Sequence, residues 1–170
     1  MIRIGLLSDT HGYLDPQIEK HFTDCDEIWH AGDIGDPDIA RRLNEWRPLR
    51  AVYGNIDGAS IRNQFTEELV FECEGLHVYM THIGGYPGNY SPKALQTIGR
   101  VSPGLFICGH SHILKVMPDN SRKLLHMNPG ASGKEGFHKF RTALRFKIDQ
   151  GKIQDLEVIE LGLRGKIESA

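Results

Sequence analysis

Apolar residues along the chain gather into short runs, and most runs are cut off by glycine, aspartate, asparagine or histidine. The runs at residues 2–7 (IRIGLL), 27–30 (EIWH), 49–53 (LRAVY), 76–80 (LHVYM), 104–108 (GLFIC) and 124–127 (LLHM) are short and rich in β-branched or aromatic side chains, which predicts strands. Helical patterns lie between several of them: DPQIEKHF from Asp15, DPDIARRLNEW from Asp36 and SPKALQTIGRV from Ser91. Each opens with Asp-Pro or Ser-Pro, an N-cap residue followed by proline at the first helical position. Two later runs, 142–148 and 152–161, predict an antiparallel hairpin through Asp149-Gln150-Gly151. The β-α-β-α-β order implies a layered α/β fold with a partly parallel sheet. The stretch from Gly84 to Pro92, GGYPGNYSP, predicts a long loop.

Composition narrows the class. A chain of 170 residues, 39% hydrophobic and 25% charged, fits one domain over 1–170, and no apolar run approaches the ~20 residues that span a bilayer. The net charge of −2 with scattered lysines and arginines argues against long nucleic acid as a partner. Cys25, Cys73 and Cys108 form no CxxC pair and are odd in number, so a reduced, cytoplasmic setting is expected. MIRIGLLSDTHG has no small-residue cleavage site, and no targeting signal is expected. No membrane association is expected, and homo-oligomerisation stays open.

Polar residues that can bind metal follow five of the six runs: Asp9-Thr10-His11, Gly32-Asp33-Ile34-Gly35-Asp36, Gly54-Asn55-Ile56-Asp57, Thr81-His82 and Gly109-His110-Ser111-His112. The C-terminal edges of neighbouring parallel strands converge on one crevice, so these segments can meet at one point. Carboxylate and amide oxygens mixed with imidazole nitrogens suit Mn, Fe, Zn, Co or Ni better than calcium. Gly32, Gly54 and Gly109 precede the ligands where a sharp turn and close backbone approach are needed. His110 and His112, two apart in an extended segment, point to one side, and two metals would use one each. Any one pair is weak evidence; the ordered combination carries the inference. His30 either packs or orients a ligand. His21 and His138 read as surface residues, His77 and His126 as structural residues within strands, and Tyr86 and Tyr90 as groups able to face a substrate. The segment HMNPGASG reads as a turn, with backbone N–H groups facing an anion as the alternative.

The motifs SDTHG, HAGDIGD, GNID, TH, GHSH and NPGA fall in the order of the calcineurin-like metallophosphoesterase superfamily, and the chain resembles its small prokaryotic phosphodiesterases over residues 1 to about 132. The resemblance implies an α/β fold of four layers, an α/β/β/α sandwich of two mixed sheets flanked by helices. It also implies two divalent ions, with Mn expected first and Fe, Zn, Ni or Co as alternatives. One would be held by Asp9, His11, Asp33 and His112, the other by Asp33, Asn55, His82 and His110, with Asp33 bridging. The implied reaction is in-line attack on phosphorus by a bridging hydroxide, with Asn55 helping to stabilise charge. Many members carry a histidine after the motif asparagine to protonate the leaving group, oriented by the second aspartate of GDxxD. Here Ile56 stands in that place, leaving Asp36 without its partner and Asp57 as a candidate donor. The expected function is therefore a metal-dependent phosphodiesterase acting on a small phosphodiester. The alternatives are a phosphomonoesterase with the same site and a non-catalytic metal-binding interaction scaffold.

Overall fold

The central strands are buried along nearly their whole length, so each needs apolar cover on both faces. The computed structural model, which describes residues 1–165, meets that need with two stacked sheets and helices outside both; residues 166–170 of the expected domain lie outside those described. In chain order the elements are β1 (Ile2–Leu7), α1 (Gln17–His21), β2 (Glu27–His30), α2 (Pro37–Trp46), β3 (Leu49–Ala51), α3 (Ala59–Arg62), β4 (Glu68–Cys73) and β5 (Leu76–Thr81). They continue with β6 (Gly85–Tyr86), β7 (Asn89–Tyr90), α4 (Pro92–Val101), β8 (Leu105–Ile107), β9 (Leu114–Asp119), β10 (Leu124–Pro129), β11 (Phe140–Asp149) and β12 (Lys152–Leu163).

The first sheet runs β12-β11-β1-β2-β3 and the second β4-β5-β8-β10-β9. Strands β1, β2 and β3 are parallel to one another, as are β5, β8 and β10; β11 joins β1 antiparallel, and β4 and β9 close the edges of the second sheet antiparallel. Between the sheets Ile4, Leu6, Trp29 and Phe146 of one pack on Val78, Met80, Ile107 and Met127 of the other. Trp29 bridges them, edge-on to Phe71 at 5.0 Å and to Phe146 at 5.9 Å. The opposite face of the first sheet is covered by Ile18 of α1 and Ile39 and Leu43 of α2. Ala94 and Ile98 of α4 cover Tyr79, Phe106 and Leu124 of the second sheet. This is the expected four-layer α/β/β/α sandwich.

The helix starts follow from their caps. Asp36 accepts from Asp38 N at 2.9 Å, and Ser91 accepts from Ala94 N at 3.2 Å, each just before a proline. Asp15 accepts from Gln17 N at 2.8 Å, and its other oxygen pairs with Arg141, fully buried in β11. The predicted tail hairpin forms, turning through Gln150 (φ 49°) and Gly151 (φ 75°).

Four features depart from the sequence pattern. β4 and β9 lie on sheet edges, where charged and half-exposed residues blur the alternation and where Pro118 is tolerated. The single turn α3 is too short to show a period. The predicted loop over residues 84–92 contains the two-residue strands β6 and β7, paired Gly85↔Tyr90 and Tyr86↔Asn89.

All three cysteines are free and buried, and burial pushes the Cys25 and Cys73 thiols up to about 11 and Cys108 to about 12. No helix among the described residues is long and apolar enough to cross a membrane.

Candidate metal centre

Both sheets end at one crevice. Asp9 follows β1, Asp33 follows β2, Asn55 lies beyond β3, His82 follows β5, and His110 and His112 lie beyond β8. Backbone bonds lace these loops together: Asp9 N to Gly32 O (3.0 Å), His11 N to Asp33 O (3.0 Å) and Gly109 N to His82 O (3.0 Å). Asp9, His11, Asp33, His110 and His112 all sit at positive φ, from 46° to 71°. That backbone costs a non-glycine residue of order 1–3 kcal/mol, and it aims each side chain inward. Two glycines make the approach possible. A Cβ on Gly54 would lie 2.0 Å from Asp33 Oδ1, and one on Gly109 would lie 2.2 Å from Ser8 Oγ and 2.7 Å from Asp9 Oδ2.

Two groups of donors result. Ligand atoms of Asp9, His11 and His112 lie within 4.8 Å of one another, as do those of Asp33, His82 and His110. The two aspartates sit between the imidazoles. Asp9 Oδ1 is 3.1 Å from His112 Nε2 and 3.6 Å from His11 Nε2, while Asp33 Oδ2 is 3.1 Å from His82 Nε2 and 3.3 Å from His11 Nε2. Their other oxygens face the scaffold: Asp9 Oδ2 accepts from Ser8 Oγ (2.6 Å) and His110 N (3.1 Å), and Asp33 Oδ1 accepts from Ile56 N (3.1 Å). Asp9 Oδ1, His11 Nε2 and His82 Nε2 are buried without a hydrogen-bond partner. Orphaned buried atoms of this kind are costly unless a cation binds them, so the donor set fits divalent metal. Asn55 Oδ1, 3.1 Å from His110 Nδ1, adds an amide oxygen at the mouth.

The histidines are held in metal-ready tautomers. His82 Nδ1 lies 2.7 Å from Ala31 O and must donate, leaving Nε2 its lone pair. His138 Nε2 likewise donates to Gly133 O (2.9 Å), so its Nδ1 accepts from His112 Nδ1 at 3.2 Å and frees His112 Nε2. The sequence reading of His138 as a surface residue is thereby corrected. Its ring is half-buried against His112, and GFHK carries no signal of that. The extended-segment argument for His110 and His112 is also replaced: a turn at positive φ sends one to each group.

His30, fully buried, accepts from Gly32 N (3.0 Å) and donates to Thr10 Oγ1 (3.0 Å), pinning the Asp9 loop to the Asp33 loop. Burial pushes it down to about 4, so it stays neutral. Asp57 accepts from Ile34 N (3.2 Å), Gly35 N (2.8 Å) and Gly54 N (2.8 Å) and is a backbone clamp. Asp36 is exposed and spent on capping α2. Ile56 is 47% exposed beside the cluster. The 128–131 segment is a turn whose Asn128 braces the histidine loop, donating to Gly109 O (3.0 Å) and Ser111 Oγ (3.1 Å). Tyr86 and Tyr90 line a separate cavity that reaches His110.

Burial alone would raise the Asp9 and Asp33 carboxyls, but the surrounding imidazoles, with Ser8 on Asp9 and the Ile56 N–H on Asp33, hold both well below the usual range. Reciprocally, Asp33 and then Asp9 raise His11 to about 9. The His11 proton stabilises the metal-free fold fully below its ordinary 6.5, a contribution lost as pH rises through about 9. The same proton competes with a metal ion. Calorimetric Mn²⁺ titrations should therefore show affinity climbing from pH 6.5 to about 9 and then levelling; affinity that is flat across that window would contradict the geometry.

A fold of two mixed sheets with two candidate metal-site groups at a shared edge defines a class, and comparison places the chain in it. The calcineurin-like phosphoesterase superfamily domain matches residues 2–151, and the chain belongs to that family. A probable metallophosphoesterase of Methanothermobacter thermautotrophicus is 29% identical over 167 residues, covering 94% of this chain and 92% of that protein. Among solved structures, one described as a novel archaeal phosphodiesterase superposes with a TM-score of 0.76 at 20% identity, covering 94% of this chain and all (100%) of the other. Vps29 of Chaetomium thermophilum superposes with a TM-score of 0.74 at 14% identity, covering 94% and 97%. The two superpositions show a shared fold. The chain thus belongs to a family of divalent-metal phosphoesterases.

Proposed function

We propose that the chain is a metal-dependent phosphodiesterase acting by in-line displacement on a small phosphodiester, in a reducing cytoplasm. The observation that carries this reading is the complete donor set, with buried, unpartnered atoms of Asp9, His11 and His82 facing one crevice. Asp9, His11, Asp33 and His112 would hold one ion, and Asp33, Asn55, His82 and His110 the second; Mn suits these donors, as do Fe, Zn, Ni and Co. Divalent ions bound there supply Lewis acidity and lower the pKa of water.

The chain's own residues do the rest. Asp33 holds His11 and His82 in register, and Asn55, exposed with its Oδ1 3.1 Å from His110 Nδ1, would donate its amide N–H to a phosphoryl oxygen. Ile56 cannot donate a proton, Asp36 is a helix cap and Asp57 is committed to three backbone N–H groups. Esters with good leaving groups are therefore favoured. A diester, which carries one negative charge, suits the site better than a monoester. Arg62 beside Asn55 is engaged by backbone carbonyls and Lys93 by Glu67 (2.8 Å), so a second charge would compete with these partners for either cation.

Hydrolysis of bis-p-nitrophenyl phosphate and of p-nitrophenyl phosphate, measured with Mn²⁺ and after chelation, tests the reading. The diester should turn over at least about tenfold faster, and chelation should stop both reactions. Monoester preference would make the chain a phosphomonoesterase, and metal binding without turnover would favour the interaction scaffold. The buried free thiols are consistent with the reducing compartment.

A further inference from the structure

We propose that Arg164, just beyond β12, latches the loop over residues 133–139 against Asp9 and His112, so that Arg164 and His138 act as positioning residues that set the ion affinity of one donor group. The inference rests on the metal-centre reading and goes beyond it, because the second donor group should not depend on the loop.

The loop, GKEGFHK, comes unusually close to the first donor group. A Cβ on Gly133 would lie 2.3 Å from Thr10 O and 2.6 Å from Asp9 O, and Gly133 N donates to Asp9 O at 3.1 Å. A Cβ on Gly136 would lie 2.1 Å from His112 Nδ1, and its φ of 122° is one that glycine alone adopts readily. The loop thus reaches the Asp9 backbone on one side and the His112 ring on the other. His138 completes the contact, edge-on to His112 at 5.1 Å with the two Nδ1 atoms 3.2 Å apart.

Apolar packing contributes little to holding this loop. Phe137, its one large apolar side chain, is fully exposed, so polar bonds carry the fixing. His138 Nε2 donates to Gly133 O (2.9 Å) and ties one end of the loop to the other. Arg164 then fastens the loop to the first sheet: its N donates to Lys139 O (3.0 Å), its Nε to His138 O (3.0 Å) and its Nη1 to Lys134 O (3.5 Å). The place of Arg164 is set by the rung Phe140↔Leu163 of the β11–β12 pair. A guanidinium presents its donors in a rigid fork, which suits carbonyls that converge from separate residues. Lys134, 4.2 Å over the Tyr13 ring, adds a contact at the other end.

The second donor group is anchored differently. His82 Nδ1 donates to Ala31 O (2.7 Å) and Asp33 Oδ1 accepts from Ile56 N (3.1 Å), so both bonds go to backbone that follows β2 and β3. His112 instead finds its Nδ1 partner on the loop, while its Nε2 lies 3.1 Å from Asp9 Oδ1. An imidazole gripped at one nitrogen is aimed, and made more basic, at the other. Releasing His112 from His138 therefore loosens the group of Asp9, His11 and His112, whereas the group of Asp33, His82 and His110 keeps its anchors.

The test is calorimetric titration of the full chain with Mn²⁺. His138→Phe keeps a ring but loses both bonds, and it should weaken one ion by about tenfold or more while leaving the other within about twofold of wild type. His138→Gln, whose amide can accept from His112 and donate to Gly133 O, should recover most of that loss. Arg164→Ala, at a half-exposed position, should weaken the same ion and keeps the test open if His138→Phe does not fold. A spectroscopic readout identifies the group affected: in the metal-free chain the His112 Nδ1–H proton should give a resolved imidazole resonance that His138→Phe removes and His138→Gln retains. Equal weakening of both ions, no weakening of either, or a His112 resonance unmoved by His138→Phe would overturn the proposal while leaving the metal centre in place. A wild-type chain that binds no Mn²⁺ would refute the metal centre itself, and the proposal with it.

Discussion

Asp33→Asn should cut diester hydrolysis by at least about 10³-fold and weaken metal binding at both donor groups. Asp33 is 2% exposed, with one oxygen between His11 and His82 and the other accepting from Ile56 N beneath Gly54. An amide fails in either orientation. With its NH₂ toward the cluster it sets donors against imidazole nitrogens and removes an oxygen ligand; with its NH₂ toward Ile56 it opposes one donor to another in a gap that Gly54 keeps narrow. Both orientations lose the negative charge that two dications need nearby. Turnover within tenfold of wild type would refute the role given to Asp33.

Asp57→Ala should be the most damaging change to the scaffold. It leaves the N–H groups of Ile34, Gly35 and Gly54 without their acceptor, in a position 3% exposed. Hydrogen bonds to a charged acceptor contribute about 1.5–3 kcal/mol each, and three sharing one carboxylate do not add in full, so a loss of about 3 kcal/mol or more is expected. In a chain of this size that is a fall in Tm of about 10 °C, read by thermal melting of the metal-free protein. A Tm within about 2 °C of wild type would show that Asp57 is not the clamp. The Asp33 and Asn55 loops both hang on this residue, so metal affinity should fall with stability.

The elements that position the site were legible because their signals are local. Strand runs, Asp-Pro and Ser-Pro caps, and ligand-type residues just past the apolar runs all lie within a few residues of one another, and the loops meet at one edge because the strands before them are parallel. What was not legible depends on contacts across the chain. His138 meets His112 from 26 residues away, and Asp57 reaches the Asp33 loop from 23 and 22 residues away. From the sequence Asp57 therefore reads equally as an acid or a clamp. The positive φ at Asp9, His11, Asp33, His110 and His112 contradicts ordinary backbone preference and could not be inferred from residue type. The strands β4 and β9 were hidden because edge positions relax the alternation that reveals a strand. His126 reads as a structural strand residue, and it lies buried in β10 against the Phe106 ring at 5.2 Å.

The most direct test of the central claim is a count of bound ions, by elemental analysis of the chain loaded with Mn²⁺ and freed of excess metal, alongside diester turnover on the same sample. Two groups of donors, Asp9, His11 and His112 and then Asp33, His82 and His110, predict about two ions per chain and turnover that disappears on chelation and returns with Mn²⁺. A chain that retains no metal, or one that turns the diester over with none bound, would contradict the account.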